Sequence, residues 1–301
     1  MERDRAGHDA APIQRDVNRR ALDAVRGLRT RREGDRRARL AGYGQHKGDG
    51  KSQEETTTHQ ARQGSSARVP FYCPVSATEL ELRVFESVKV IGSGRVGAAV
   101  SARLRERGVA VGDEGQLALL CVPDGSIAEV AAALPEGPWV AHVSGATPLS
   151  ALDPHRRRFS MHPLQTFTRA RGPEQLDGAW AAVAAESEEA RVAGFWLAET
   201  LGLRPFELAD DVRPLYHAGA AIASNYLVTL HAVASELFRA AGAPPEALVP
   251  LMRRTIDNGF ELTGPIERGD WETVEAHRRA IRAARPELEP LYDVLADATA
   301  E

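Results

Sequence analysis

The chain has 301 residues, 43% of them hydrophobic and 27% charged, with a formal net charge of −4. That length allows two ordinary domains, or one domain and a tail, and no run approaches the roughly 18 apolar residues that would span a membrane. Two cysteines, Cys73 and Cys121, exclude a disulfide scaffold and a cysteine-based zinc cluster; three lysines (Lys47, Lys51 and Lys89) against 35 arginines exclude lysine-dependent chemistry beyond residue 89.

Residues 1 to 70 carry 16 Lys and Arg against 10 Asp and Glu, while the rest of the chain carries 22 against 32. The first segment has few large apolar residues, so it cannot bury enough surface to offset chain entropy, and a disordered basic tail is expected over 1–80. Arg19 to Leu40 has helical spacing at Ala21, Val25 and Leu28. No aromatic residues interleave with its arginines to stack on bases, so nucleic acid is not the expected partner. No apolar stretch follows the charges as in a secretory signal, and Glu2, Asp4, Asp9 and Asp16 argue against an organelle presequence. The cytoplasm is the expected compartment. The tail reads either as a solvated segment or as translation from an upstream start codon.

Ser87 to Ile91 is a short β-branched strand. It leads into Gly92-Ser93-Gly94-Arg95-Val96-Gly97 and then a helix from Ala98 that ends near Gly108. This is GxGxxG between a strand and a helix, the context that gives the pattern its meaning. Gly92 permits the tight turn, Gly94 lets the backbone approach a pyrophosphate, and Gly97 lets the helix pack on the strand. The alternative is a glycine-rich turn that binds nothing.

A complete dinucleotide fold needs a second strand whose acidic tip holds a ribose about 20 residues on. Val109 to Glu114 stands there, but the strand Leu117 to Val122 follows almost at once, and parallel strands need a crossover of a dozen or more residues. Two readings remain open. Either Val109 to Val111 is only a loop, or Gly112 to Gly115 turns an antiparallel hairpin. Asp113 is accordingly a solvated turn residue or a ribose ligand.

Further on, Pro123-Asp124-Gly125-Ser126 ends a strand and begins a helix over Ile127 to Leu134. Trp139 to Val143 is a strand ending at Ser144-Gly145-Ala146, with His142 inside it. Phe159 to Met161 precedes His162-Pro163-Leu164. The loops beginning at Pro123, Ser144 and His162 lie at strand carboxyl ends, where open α/β sheets bind ligands. A strand over Ala179 to Ala184, a helix over Glu188 to Leu201 and a strand over Pro205 to Leu208 complete an α/β domain expected over 85–210. A helical domain follows over 211–301. It opens with one long helix from Asp211 to Ala241, on which His217, Ala221 and Asn225 share a face. The next helix is expected to bend at Pro250. Thr263 and Gly264 make a turn, Asp270 caps a helix over Trp271 to Ala284, and Pro286 begins the last helix.

Five stretches in order (VIGSGRVG, HVSGA, SMHPLQTF, YHAGAAIASNYLVTL and LTGPIERGD) resemble a bacterial family of Rossmann-like proteins with a C-terminal domain of unknown function. That family is distantly related to the 6-phosphogluconate dehydrogenase superfamily. The resemblance implies an α/β protein with a shortened Rossmann-like parallel sheet followed by an all-helical domain. It also implies an NAD- or NADP-dependent oxidoreductase acting on a small-molecule substrate, with a homodimer formed through the helical domain. The chain departs from the family in lacking the usual stretch before its LALLCVP strand, which bears on cofactor binding. Met161 to Leu164 looks like the HPM loop of prephenate dehydrogenases. Ketopantoate reductases carry a helix with a Lys, then an Asn four and another eight residues on; the same places here hold His217, Ala221 and Asn225.

The resemblance therefore nominates His217 as proton donor, with Asn225 and His162 positioning a small carbonyl or imine substrate, a 2-oxo acid such as ketopantoate leading. Gly92, Ser93, Gly94, Arg95, Val96 and Gly97 would hold the pyrophosphate, and Pro123, Asp124, Ser144 and Gly145 the nicotinamide half. Each has a plainer reading: a core histidine at 217, a helix bridge at Asn225, a fixed loop at His162, a simple turn at Ser144. No helix pairs His, Asp or Glu at metal-ligand spacing, and no GxSxG elbow occurs. The alternative function is a non-catalytic nucleotide-sensing or interaction protein with a degenerate Rossmann domain.

Overall fold

A computed structural model describes residues 84–301, so the expected tail over 1–80 lies outside the described residues. These residues form two compact units, 84–224 and 225–301. The division falls inside a helical run rather than at the expected 210–211.

The first unit is built on a seven-stranded sheet in the order β2-β1-β3-β4-β5-β6-β7. The strands are β1 (Ser87–Ile91), β2 (Ala110–Val111), β3 (Leu117–Leu120), β4 (Trp139–His142), β5 (Arg158–Leu164), β6 (Trp180–Ala185) and β7 (Arg204–Glu207). The first five are mutually parallel; β6 is antiparallel to β5, and β7 runs with β6. Leu117 to Leu120 and Trp139 to His142 are buried at every position, as parallel strands covered on both faces must be. One face carries α1 (Arg95–Glu106) and α3 (Glu188–Thr200), which close over Val88, Leu117, Leu119, Phe159 and Val183. The other carries α2 (Ile127–Ala132) and the turn at Leu149–Leu152, over Ala118, Leu120 and Val140. Ser187 caps α3, its hydroxyl accepting the Ala190 N–H at 3.2 Å.

Neither reading of Val109 to Glu114 holds. Ala110–Val111 is a true parallel strand beside β1, with Val111 opposite Val88. The long crossover is unnecessary because β2 is only two residues long. The chain leaves it level with the start of β1, crosses beside that strand and enters β3 with Leu117 also opposite Val88. Gly115 makes the crossing fit, since a Cβ there would stand 2.6 Å from the Lys89 nitrogen.

His162 does not begin a loop, because β5 runs on to Leu164. The β4 pairing stops at His142 opposite Ser160, but β6 continues the ladder to Leu164 opposite Trp180. Pro163 thus stands on an edge past the end of β4, where its missing N–H costs no ladder bond.

The expected helix from Asp211 to Ala241 is three pieces: α4 (Arg213–Ala221), a π turn at Ile222–Tyr226 and α5 (Leu227–Ala240). The stretch Ala218-Gly219-Ala220-Ala221 has no bulky side chains to hold the regular winding. The Ser224 hydroxyl also donates back to the Ala220 carbonyl at 2.9 Å, a competing bond that distorts helices. In the second unit α6 (Leu248–Asp257), α7 (Trp271–Ala284) and α8 (Glu289–Ala300) follow. Pro250 stands in the first turn of α6, where no intrahelical N–H bond is needed, so the expected bend has no cause there. Asp270 caps α7, accepting the Thr273 N–H at 3.1 Å. Arg278 bridges α7 to Asp293 of α8 at 2.9 Å, and Val233, Ile281 and Leu288 form a small core. Among the described residues no helix is long and apolar enough to cross a membrane.

Candidate functional site

Ile91, Leu120, His142 and Ser160 stand on one line across β1, β3, β4 and β5. Just past that line lie the glycine turn, Pro123-Asp124, Ser144-Gly145 and His162. The parallel register alone therefore gathers most of the residues singled out in the sequence along one edge.

At the β1 end, Gly92 has a φ of +114°, and a Cβ there would meet the Cys121 carbonyl oxygen at 2.3 Å. A Cβ at Gly97 would stand 1.9 Å from the Gly92 oxygen. Both glycines are demanded by the close packing of turn, α1 and β3. Gly94 differs: nothing lies within 4 Å of a Cβ built on it. It opens α1, which has neither a side-chain cap nor an acidic residue in its first turn. The leading N–H groups and the positive end of the helix dipole are therefore available to an anion approaching the open backbone.

At the β4–β5 end, α4 is anchored by Arg213, which is wholly buried. Its Nη1 donates to Ser160 Oγ at 2.6 Å, its Nη2 to the Ser144 carbonyl, and its Nε lies 3.7 Å from Asp210. The Asp210 carboxylate accepts the Leu149 N–H at 3.0 Å. Residues three and four beyond Arg213 share its helix face, and those are Tyr216 and His217. Tyr216 Oη lies 2.8 Å from His162 Nδ1. The His162 and His217 rings stand 6.1 Å apart, centre to centre. Gly145 fits against both: a Cβ there would be 2.7 Å from His217 Cδ2 and 2.9 Å from His162 Nε2.

Burial, with the positive charges of His217 and Arg213, pulls His162 down to about 4. Burial and Arg213 likewise pull His142 to about 3. Burial pushes the Tyr216 phenol up to about 12, against the pull of Arg213. Near neutrality His162 is thus uncharged and Tyr216 protonated. In the tautomer in which the phenol donates to Nδ1, the imidazole proton stands on Nε2, beside Gly145.

The structure brings His162, His217, Ser144 and Gly145 together. The Ser144 hydroxyl is occupied locally, accepting the Ala146 and Thr147 N–H groups at 3.2 and 3.0 Å. Pro123 and Asp124 are exposed at the end of β3. Asn225 lies on the π turn, in the other compact unit. Asp113 follows β2, which stops three residues short of the Ile91 line, so it begins about 10 Å below the edge at ~3.3 Å per residue. It stands in the turn after β2, set back from that edge. Sequence reasoning missed Arg213, Ser160 and the role of Tyr216; the available signal was an arginine three and four residues ahead of Tyr216 and His217. Among the described residues, no group of three or more His, Cys, Asp or Glu side chains could hold a metal ion.

Residues 179–299 match the model of a family described as a domain of unknown function, DUF2520. A proposed NADP oxidoreductase from Bacteroides fragilis is similar in structure, with a TM-score of 0.61 and 20% identity over 71% of this chain and 98% of that one. A protein from Thermotoga maritima gives 0.58 and 23% over 70% and 96%. An NADH-preferring ketol-acid reductoisomerase from an uncultured archaeon gives 0.50 and 16% over 70% and 85%. No curated protein matches the chain. The fold is that of a Rossmann-like α/β protein. More particularly, the family match is confined to residues 179–299, the part of the chain from β6 onward.

Proposed function

We propose that the protein is an NAD(P)-dependent oxidoreductase that reduces a small carbonyl or imine, with a 2-oxo acid such as ketopantoate as the leading substrate. One observation carries this reading. A single sheet edge holds an open, uncapped glycine turn at one end and a His162–Tyr216–His217 cluster folded around Gly145 at the other. The bare space at Gly94 suits a pyrophosphate, which a Cβ would displace. The names of the Bacteroides and archaeal proteins support the same class of chemistry.

The bound cofactor would supply the hydride. His162, neutral and fixed by Tyr216, offers its Nε2 proton to hold the substrate oxygen or nitrogen. His217, with its ring against Gly145, delivers the proton that completes the alcohol or amine. The buried guanidinium of Arg213 sets a positive potential, which favours a carboxylate-bearing substrate and the negative charge that develops on oxygen. Asn225 is a positioning residue in this reading, and the helical unit forms a homodimer. The two-residue β2 favours a second reading, a nucleotide sensor that does not turn over.

The test is a screen of 2-oxo acids and imines for oxidation of reduced cofactor, run beside a thermal-shift measurement with NADH and NADPH. His217→Ala should lower turnover by about 10²–10⁴-fold with little change in cofactor affinity, and His217→Gln should not rescue it. Gly94→Val should abolish the thermal shift. Cofactor binding without turnover of any substrate would favour the sensor. Near-normal turnover in His217→Gln would reduce that residue to positioning.

A further inference from the structure

The Tyr216 hydroxyl and the His162 ring meet from two rigid elements. His162 stands within the β5–β6 ladder opposite Ala182, and Ala182 stands opposite Phe206 of β7. Paired residues share a sheet face, so His162, the wholly buried Ala182 and Phe206 form one row across three strands. Tyr216 reaches that row from α4, its ring edge-on to both aromatic neighbours, 5.6 Å from His162 and 6.0 Å from Phe206. Arg213, one turn earlier, ties the same helix to Ser160 and to the Ser144 carbonyl. The 2.8 Å contact between Tyr216 Oη and His162 Nδ1 is therefore built in from both sides.

That contact can be made in two ways. Either the phenol donates and Nδ1 accepts, or Nδ1–H donates and the phenol oxygen accepts. No other hydrogen bond reaches either side chain among the described residues. In the first arrangement the phenol proton and the Nδ1 lone pair satisfy each other, and the Nε2–H is left for a ligand. In the second, the phenol proton and the Nε2 lone pair are both left unmet. Both residues are half-buried, so each unmet polar group carries a desolvation cost, and the first arrangement is favoured by one such group. An imidazole nitrogen is also a stronger base than a neutral phenol oxygen, which acts in the same direction.

We propose that Tyr216 fixes His162 with its proton on Nε2 and thereby restricts the site to ligands that present a lone pair there. A carbonyl oxygen or a neutral imine nitrogen meets that demand. A protonated amine offers only N–H groups and is refused, so an imine is taken up and its ammonium product is released. A site built around one hydrogen-bond polarity rejects the opposite one because a buried group would otherwise stay unpaired. Tyr216 is a positioning residue, acting through His162. This rests on the reading that the histidine cluster is the substrate end of an oxidoreductase site.

Nitrogen-15 NMR of the histidine rings, on the full chain near neutral pH, tests the assignment with no ligand present. The His162 signals, identified by their loss in His162→Gln, should show a protonated Nε2 and a bare Nδ1. In Tyr216→Phe a measurable share of the proton should move to Nδ1, with little change in melting temperature. A wild-type proton on Nδ1 would overturn the proposal, and so would a proton confined to Nε2 in Tyr216→Phe. The kinetic arm uses the carbonyl or imine that the substrate screen turns over. Tyr216→Phe should lower kcat/KM for it by about two- to tenfold, the order of one hydrogen bond, while the thermal shifts with NADH and NADPH stay as they were. An unchanged kcat/KM would overturn the selectivity. The expected tautomers without turnover of any carbonyl or imine would remove the oxidoreductase reading instead, because the spectra report on the protein alone.

Discussion

The two units solve the problem of covering apolar surface differently. In residues 84–224 both faces of the sheet are closed, and Leu117, Leu119, Phe159, Met161 and Val183 are completely buried. In residues 225–301 the internal core is small, centred on Val233, Ile281 and Leu288. Large apolar side chains there stay in water, including Phe260 at 72% exposure, Leu251 at 59% and Trp271 at 53%. A small unit with so little buried surface is marginal alone. The first unit has the core of a self-sufficient body; the second leaves Phe260, Leu251 and Trp271 exposed, which is the ground for the proposed homodimer.

That contrast is sharpest in paired truncations. Leu119→Ala, in the middle of β3, should cost about 2–5 kcal/mol in denaturant unfolding, because it leaves a cavity among fixed neighbours. Leu251→Ala should change the stability of the chain far less, within about 0.5 kcal/mol as for other surface positions, yet weaken self-association measured by sedimentation. If Leu251→Ala is as destabilising as Leu119→Ala and the mass is unchanged, the second unit has a core of its own and the contrast fails.

Acid separates the units next. His162 titrates at about 4 and His142 at about 3 when folded, below the ~6.5 of an unhindered histidine. Between those values the unfolded chain binds more protons than the folded one. Stability is therefore fully present above about pH 6.5 and falls as the pH drops towards 4. Trp139, Trp180 and Trp196 all lie in the first unit, so their fluorescence should report the loss. His162→Gln should flatten the pH dependence; an unchanged slope would mean that His162 is not held neutral.

The smallest expected effect is one the units share. Ser187→Ala and Asp270→Ala each remove one capping bond, at the starts of α3 and α7, and each should cost about 0.5–2 kcal/mol. Similar losses in chemical denaturation would show that the units differ in their cores and not in their local helix chemistry.

Much of this was legible in the sequence because the signals were local. The β-branched run Ser87 to Ile91, the glycine spacing after it and the Asp270 cap each act within a few residues. What was not legible depends on distant partners. The two residues of β2 have no pattern of their own and are a strand only because β1 lies beside them. Pro163 reads as a strand breaker until β4 is seen to stop short of it. An arginine as buried as Arg213 contradicts the usual rule for charged residues, and Ser160, Ser144 and Asp210, which accommodate it, come from three separate stretches.

The crossing at Gly115 joins two kinds of change in the history of such a chain. With β2 only two residues long, the strand-to-strand link must pass against the β1 backbone, and no side chain fits at the point of passage. An insertion that lengthened β2 would lift the link away and free position 115 for other residues. A substitution at Gly115 without that insertion would force main chain against main chain. Among relatives, a short second strand and a glycine here should be gained or lost together, as a single heritable trait written at two separate places in the sequence.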